Sequence, residues 1–181
     1  WNYADEMCFT FGWGMSYTDF EQQITGVEYD AETDQYMVNV EVRNIGEKPG
    51  KCAVYVYAQT PYGEYERLNE VEKSAIQFVG YEKSSLLDPD GTETVQVPVD
   101  RYLLASYDQN GAEGYILSAG DYYFAVGESS HDALNNILAV QGYVGMFNQD
   151  GTEDVTLNEV VFISSLMGFR TMKTRYRQLC V

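Results

Sequence analysis

Acidic side chains are the commonest residues in this sequence that could do chemistry, and two acidic loops have the composition of cation sites. Asp88-Pro89-Asp90-Gly91 and Asn148-Gln149-Asp150-Gly151 combine oxygen ligands with a glycine, as calcium loops do. The EF-hand spacing, however, places hydrocarbon side chains at the first and last ligand positions of both loops: Leu86 and Val97, and Met146 and Leu157. Both loops are therefore interpreted as turns, and we predict no metal site.

The other reactive residue types are few and scattered. His131 is the only histidine and has no Ser or Cys nucleophile set around it, so it is interpreted as a loop histidine. Cys8, Cys52 and Cys180 are an odd number without Cys-x-x-Cys spacing, which argues against a disulfide framework or a zinc site. Cys52 is expected to be a small buried apolar residue. The pattern predicts no catalytic residue and no cofactor, and it favours a reducing, cytoplasmic location over a secreted one.

The charge balance excludes one class of partner. A net charge of −17 argues against nucleic acid, because nucleic-acid binding depends on neutralising phosphates with Lys and Arg. No apolar run approaches the roughly 18 residues of a membrane helix, so no membrane partner is predicted. The chain begins at Trp1, and an upstream leader or domain is therefore compatible with the sequence.

A strand period of two residues dominates the middle of the chain. Tyr36, Val38, Val40 and Val42 alternate with other residues, and further short runs are separated by turn residues. The pattern predicts an all-β fold, an immunoglobulin or fibronectin type III-like antiparallel β-sandwich of about seven strands, with no helix. The predicted inward-facing residues are Tyr36, Val38, Val40, Val42, Val54, Val56, Phe124 and Val126.

Three features refine this sandwich. Gly80 inside a strand pattern predicts a β-bulge or a close contact, and Pro98 places its strand at a sheet edge or at its own end. The predicted domain covers residues 19–134, between an N-terminal arm (residues 1–18) and a tail or linker of uncertain structure (residues 135–181). Within the tail, residues 155–162 are compatible with a strand or with the start of a helix.

The arm is rich in aromatic residues and glycine. Residues 9–20 contain five aromatic residues and two glycines, which is too apolar for a solvated linker and unsuited to a regular helix or strand. Such a segment either caps the core of its own domain or docks on a neighbouring domain. The predicted docking residues are Phe9, Phe11, Gly12, Trp13, Gly14 and Tyr17. Because one sandwich core covers only some of these rings, we expect the arm of the isolated chain to be partly disordered or to pack against another copy.

The arm also resembles a known signature. Phe-Thr-Phe-Gly-Trp-Gly-Met-Ser-Tyr-Thr-Asp-Phe (residues 9–20) is similar to the segment of glycoside hydrolase family 3 enzymes that leads from an α/β-sandwich domain into a fibronectin type III-like domain. Four later blocks resemble the same family in the same order: Val38-Asn39-Val40-Glu41-Val42-Arg43-Asn44-Ile45-Gly46 followed by Pro49-Gly50-Lys51, Gln77-Phe78-Val79-Gly80-Tyr81-Glu82-Lys83, Leu87-Asp88-Pro89-Asp90-Gly91-Thr92-Glu93-Thr94-Val95 and Gly120-Asp121-Tyr122-Tyr123-Phe124-Ala125-Val126-Gly127-Glu128-Ser129-Ser130.

This resemblance implies a non-catalytic accessory domain. In the family, the nucleophile Asp lies on a catalytic barrel and the acid/base Glu on the α/β-sandwich domain, and this sequence aligns with neither. Residues 129–138 further resemble members of rearranged domain order, in which the barrel follows. The implied partners are the barrel and the α/β-sandwich domain of a β-glucosidase-type enzyme that acts on plant-derived or oligosaccharide β-glycosides, with self-association through the arm as a further contact. The alternative is a free-standing carbohydrate-binding or adhesion module.

Overall fold

The fold is a two-sheet antiparallel β-sandwich, seen in a computed structural model that describes residues 8–143, 161–166 and 170–171. The first sheet has the order β1-β2-β5 and contains β1 (Phe20–Asp30), β2 (Gln35–Asn44) and β5 (Thr92–Asp100). The second has the order β4-β3-β8-β9 and contains β3 (Ala53–Gln59), β4 (Gln77–Lys83), β8 (Gly120–Val126) and β9 (Val161–Leu166). The predicted fold class is confirmed.

Short strands and helices lie outside the two main sheets. A hairpin of β6 (Ser106–Asp108) and β7 (Gly114–Leu117) pairs with β10 (Arg170–Thr171). The helices within the described residues are α1 (Glu64–Leu68), a 3₁₀ turn (Arg101–Leu104) and α2 (Ser130–Val140). The expectation of a chain without helices is therefore wrong. The Ser129 hydroxyl begins α2 by accepting a hydrogen bond from the Asp132 N–H at 3.3 Å, as an N-cap does.

The sheet continues beyond the expected end of the domain. Residue 134 lies inside α2, and β9 pairs antiparallel with β8 from Gly120↔Leu166 to Ala125↔Val161. The end of residues 155–162 thus contributes to a strand. Residues 155–160, the predicted turn at 148–151 and Cys180 lie outside the described residues.

The core lies between the two sheets and consists mainly of valine. All eight residues predicted to face inward are buried there, none more than 6% exposed. Each buried Val contributes about 1.5–3 kcal/mol by removing apolar surface from water. The period-two prediction is confirmed, and these residues hold the two sheets together.

Asn44 ties the start of the domain to two loops. Its fully buried amide nitrogen donates to the carbonyl oxygens of Lys48 (2.7 Å) and Leu87 (3.0 Å). Its Oδ1 accepts from the Thr18 hydroxyl at 2.7 Å and from the Gly46 N–H at 3.1 Å. Both functions of one amide are thus satisfied in the interior, where an unpaired polar group would cost free energy. The end of the arm is consequently fixed to the sandwich.

The structure also confirms the predictions for Gly80, Pro98 and the turn before β5. The β3–β4 register shifts next to Gly80, and a Cβ atom there would lie 2.8 Å from Val97 Cγ1 on the opposite sheet. Pro98 lies on β5, an edge strand of its sheet. The Gly91 N–H donates to the Asp88 carbonyl at 2.8 Å, which closes the predicted turn.

Two searches of the described residues complete the description. No helix in this part of the chain has both the length and the apolarity needed to cross a membrane. Within the same residues, no group of three or more His, Cys, Asp or Glu side chains is arranged to hold a metal ion.

Candidate functional site

The outer face of the four-stranded sheet carries aromatic rings instead of valine. Tyr55 lies on the outward side of β3, and its ring centroid is 6.0 Å from that of Phe78 and 5.6 Å from that of Tyr81, both on β4. Phe78 and Tyr81 are three residues apart, a spacing that would put them on opposite faces of a regular strand. The irregular register beside Gly80 places both on one face, because a bulge adds a residue to one strand.

The arm lies across this face. The Phe11 ring centroid is 5.4 Å from that of Phe78 and 6.1 Å from that of Tyr55. Phe9 and Trp13 pack against each other at 4.4 Å, and both remain more than half exposed. We call the rings of Phe9, Phe11, Trp13, Tyr55, Phe78 and Tyr81 the outer aromatic patch. A 370 Å³ cavity lined by Trp13, Tyr55 and Glu128 adjoins it.

One backbone carbonyl joins the arm to α2. The Phe11 carbonyl oxygen accepts from the Ser130 N–H at 2.8 Å, at the start of α2, and from the Tyr57 hydroxyl at 3.3 Å. Gly12 follows with φ +94°, where a Cβ atom would lie 2.8 Å from the Tyr57 hydroxyl. Glycine is therefore required by both the backbone conformation and the available space. We call Phe11, Gly12, Tyr57 and Ser130 the arm–helix junction.

Helix α2 packs on the same outer face. Ala133 and Ile137 are fully buried against Tyr57 and Ala125, in a second apolar cluster separate from the valine core. The Asn136 side chain donates to the carbonyl oxygen of Val126 at 3.1 Å. The arm and the helix thus share one support, and Tyr57 is almost completely covered.

The predicted docking residues fall into two groups. Phe11 and Gly12 contact the sheet of their own domain, as expected of an arm that caps its own core, although Phe11 remains 55% exposed. They fold back because β3 and β4 offer rings that Phe11 can contact. Partial disorder of the arm, or packing of the arm against another copy, stays a prediction. Phe9 and Trp13 contact each other and remain largely exposed, while Tyr17 is 97% exposed and Gly14 borders open space. Docking of the second group on another domain stays a prediction.

The supporting residues were only partly visible in the sequence. Alternation along residues 53–59 separates small and β-branched side chains from Tyr55 and Tyr57, which predicts these two rings on one side of β3. Phe78 and Ser130 were missed as partners of the arm. Two signals were available in the sequence. Gly80 indicates a bulge, which changes the face of the sheet on which the following β4 side chains lie, and the Ser129–Asp132 spacing is typical of a helix start.

The groups near the patch favour binding over catalysis. Burial, aided by the charge of Glu128, raises the pKa of the Cys52 thiol to about 11, so this thiol stays protonated at neutral pH. Cys52 is buried, as predicted. His131 lies in the first turn of α2 instead of in a loop, which corrects the sequence interpretation. Aromatic faces with a satisfied backbone are suited to packing against another surface.

Comparison with known proteins gives consistent matches. Residues 53–130 match the family model of the fibronectin type III-like domain. A β-glucosidase of Ruminococcus albus is 33% identical over 133 residues, which cover 71% of this chain and 13% of that protein. A β-glucosidase structure from Paenibacillus barengoltzii is 35% identical, with a TM-score of 0.59, over 70% of this chain and 14% of that one.

A more distant structure supports the fold alone. The β-glucosidase of Kluyveromyces marxianus in complex with glucose is 22% identical, with a TM-score of 0.66, over 94% of this chain and 17% of that one. The chain therefore spans less than a fifth of each of these three relatives.

Proposed function

We propose that this chain, whose residues 53–130 match the fibronectin type III-like domain family, is the non-catalytic accessory domain of a glycoside hydrolase family 3 enzyme of the β-glucosidase type. The supporting observation is partial coverage: proteins named β-glucosidases match the chain over about seven tenths of its length, yet the matched segment is a small part of theirs. The parent enzyme would act on plant-derived or oligosaccharide β-glycosides. Its catalytic carboxylates would lie on its other domains.

The outer aromatic patch is the proposed docking surface. Phe9, Phe11 and Trp13 are each more than half exposed, and Phe78 and Tyr81 expose 44% and 48% of their surface beside them. Aromatic side chains bury about 150–250 Å² each when covered, so these five rings offer several hundred Å² of apolar surface. Patches of that size usually mark an interface. The proposed occupant is the α/β-sandwich domain upstream of the arm.

The arm–helix junction gives this docking a mechanical role. The arm enters the domain at its N-terminal side, and α2 leads out of the region that matches the family. Because the Phe11 carbonyl accepts a hydrogen bond from the first residue of α2, the arm is fixed to a helix that itself packs on the four-stranded sheet. The domain would thereby brace the α/β-sandwich domain against the catalytic barrel.

An activity assay tests the accessory role directly. We expect the purified 181-residue chain to show no hydrolysis of p-nitrophenyl β-glucoside above a blank, while the full reading frame hydrolyses it. Turnover by the 181-residue chain alone would reject a non-catalytic role. A full reading frame without a glycosidase domain would reject the proposed parent.

A second candidate is a free-standing carbohydrate-binding or adhesion module. The stacked and exposed Phe9–Trp13 pair favours it, because flat apolar rings suit the C–H faces of sugars. This alternative predicts saturable quenching of Trp fluorescence by glucan oligosaccharides, abolished in Trp13→Ala. An unchanged signal would leave docking as the role of the pair.

A further inference from the structure

A second cavity opens at the other end of β3, away from the outer aromatic patch. It has a volume of about 670 Å³ and lies between the last residue of β3, the first half of β8, two loops and the end of α2. Its lining includes Gln59, Tyr62, Lys73, Tyr123, Gln141 and Tyr143. We call it the tyrosine–glutamine cleft. Its volume lies within the roughly 300–1,000 Å³ of small-ligand sites.

Two amides in the cleft are held in place and keep donors for a ligand. Gln141 Nε2 donates to Gln59 Oε1 at 2.6 Å, and Gln59 Nε2 donates to the Ala75 carbonyl at 2.8 Å. Each glutamine side-chain nitrogen carries two hydrogens and uses one of them in these hydrogen bonds. The second hydrogen of each nitrogen can therefore be donated to a ligand. The pair is therefore a preorganised set of neutral polar groups.

The lysine of the cleft is already neutralised. The Lys73 side chain is 5% exposed, and Nζ donates to Pro61 O (2.5 Å), Ser118 Oγ (2.7 Å) and Glu66 Oε1 (3.1 Å). Burial by itself would raise the pKa of Glu66, but hydrogen bonds from Ser118, the Gly63 N–H and Lys73 outweigh it and lower this pKa to about 2. Glu66 is therefore ionised and balances the lysine. Because an ammonium group has three donors and all three are used, the cleft has no surplus cation for an anionic ligand.

Three tyrosine rings form a further part of the lining. Tyr62 and Tyr143 are 57% and 67% exposed at the rim, and Tyr123 is partly buried on β8. Each ring offers an apolar face and a hydroxyl group. The exposed carboxylate of Asp121 also lines the cleft and disfavours an anionic ligand. The ligand that suits the amides and the rings has flat apolar faces and carries hydroxyl groups around its edge, which describes a saccharide.

We propose that the tyrosine–glutamine cleft binds a short neutral oligosaccharide. The glutamine amides bond its hydroxyl groups, and the rings of Tyr62 and Tyr143 cover its C–H faces. This site is separate from the docking patch and goes beyond the accessory role. Binding here would hold a glycan close to the domain without any covalent bond being made or broken.

The test is an NMR titration of the 181-residue chain with cellotetraose, laminaritetraose and maltotetraose. For at least one of the three, we expect saturable amide shifts clustered at residues 59–62, 121–123 and 141–143. Gln59→Ala and Tyr143→Ala should each raise the Kd at least tenfold. Tyr107→Ala removes a similarly exposed tyrosine from β6, outside the cleft, and should leave the Kd unchanged.

Three results would overturn the proposal: no saturable shift with any of the three sugars, shifts confined to the outer aromatic patch, or equal effects of Tyr143→Ala and Tyr107→Ala. The double variant Phe11→Ser/Trp13→Ser should titrate like the unmodified chain. The cleft proposal and the docking proposal are therefore tested by different variants, and one can be rejected without the other.

Discussion

The two faces of strand β3 show how one segment serves two purposes. Its inward side chains, Val54, Val56 and Ala58, are completely buried in the core between the sheets. Its outward side chains, Tyr55 and Tyr57, meet the arm and helix α2, which cover Tyr57 and leave Tyr55 partly exposed. The opposite sheet of the sandwich covers the inner face. The arm and α2 cover the outer face only in part. Partial exposure of this kind is expected of a surface that packs on another domain.

The largest expected effect is a difference in the stability lost when a ring is removed from the inner face or from the outer face. Phe124→Ala removes a fully buried ring on the inner side of β8 and should lower the free energy of unfolding by about 3–5 kcal/mol. Phe78→Ala removes a ring that is 44% exposed on the outer face and should cost about 1 kcal/mol. Urea denaturation of both variants measures the difference, and equal losses would show that the outer face is a second core.

The next effect concerns the ion pair beneath the cleft. The pKa of Glu66 falls from its ordinary 4.5 to about 2 on folding, so the ionised carboxylate stabilises the folded state above about pH 4.5. That contribution, on the order of 2–3 kcal/mol, is lost as the pH falls towards 2. Glu66→Gln should therefore be less stable at neutral pH and should show a flatter loss of stability between these pH values.

Glu64→Gln is the control for this prediction, because Glu64 is exposed in the same helix. Urea midpoints measured from pH 2 to pH 7 give the comparison. If the urea midpoints of Glu66→Gln and Glu64→Gln depend on pH in the same way, the buried Glu66–Lys73 pair does not stabilise the folded state.

A smaller effect is expected at the arm–helix junction. Gly12→Ala introduces a Cβ atom 2.8 Å from the Tyr57 hydroxyl at a φ of +94°, which should cost about 1–2 kcal/mol and release the arm. Gly14→Ala adds the same methyl group where nothing lies within 4 Å, and it should be neutral. Hydrogen exchange of the Ser130 amide should accelerate only in Gly12→Ala. Equal exchange in both variants would mean that the arm does not protect the helix start.

The smallest effect is expected for the exposed rings. Phe11→Ser/Trp13→Ser should change the stability of the isolated chain by less than about 1 kcal/mol, because both rings are more than half exposed. The same double change should weaken the docking of this domain in the longer enzyme. Unfolding of the isolated chain by this change would instead place the arm in the domain's own core.

The sequence was sufficient for the inner face and insufficient for the outer one. Alternating valines predict a buried strand face from local pattern alone, because each strand buries one side against the same core. Helix α2 was missed although six of its 11 residues are apolar, because a segment of about three turns shows only a weak helical period. Its position depends on contacts with Ala125 and with Tyr57, and Tyr57 is distant from the helix in sequence. The Ser129 N-cap was the local signal that could have revealed it.

The proposed docking surface was predictable in composition but not in geometry. The aromatic arm is evident in the sequence, and its resemblance to a family signature agrees with the family match. The partners of Phe11 are not evident. Phe78 faces the arm because of the irregular register beside Gly80, and Ser130 meets the Phe11 carbonyl only after the sheet has formed. Such long-range contacts have no fixed spacing along the chain.

The most direct test of the docking proposal compares hydrogen–deuterium exchange in the 181-residue chain and in the protein expressed from the full reading frame. We predict that the longer protein gains protection in residues 9–17 of the arm and at residues 78–81 of β4, while β1, β2 and β5 exchange alike in both. Identical exchange in the arm, or new protection confined to the three-stranded sheet, would contradict the assignment of the outer aromatic patch as the interdomain surface.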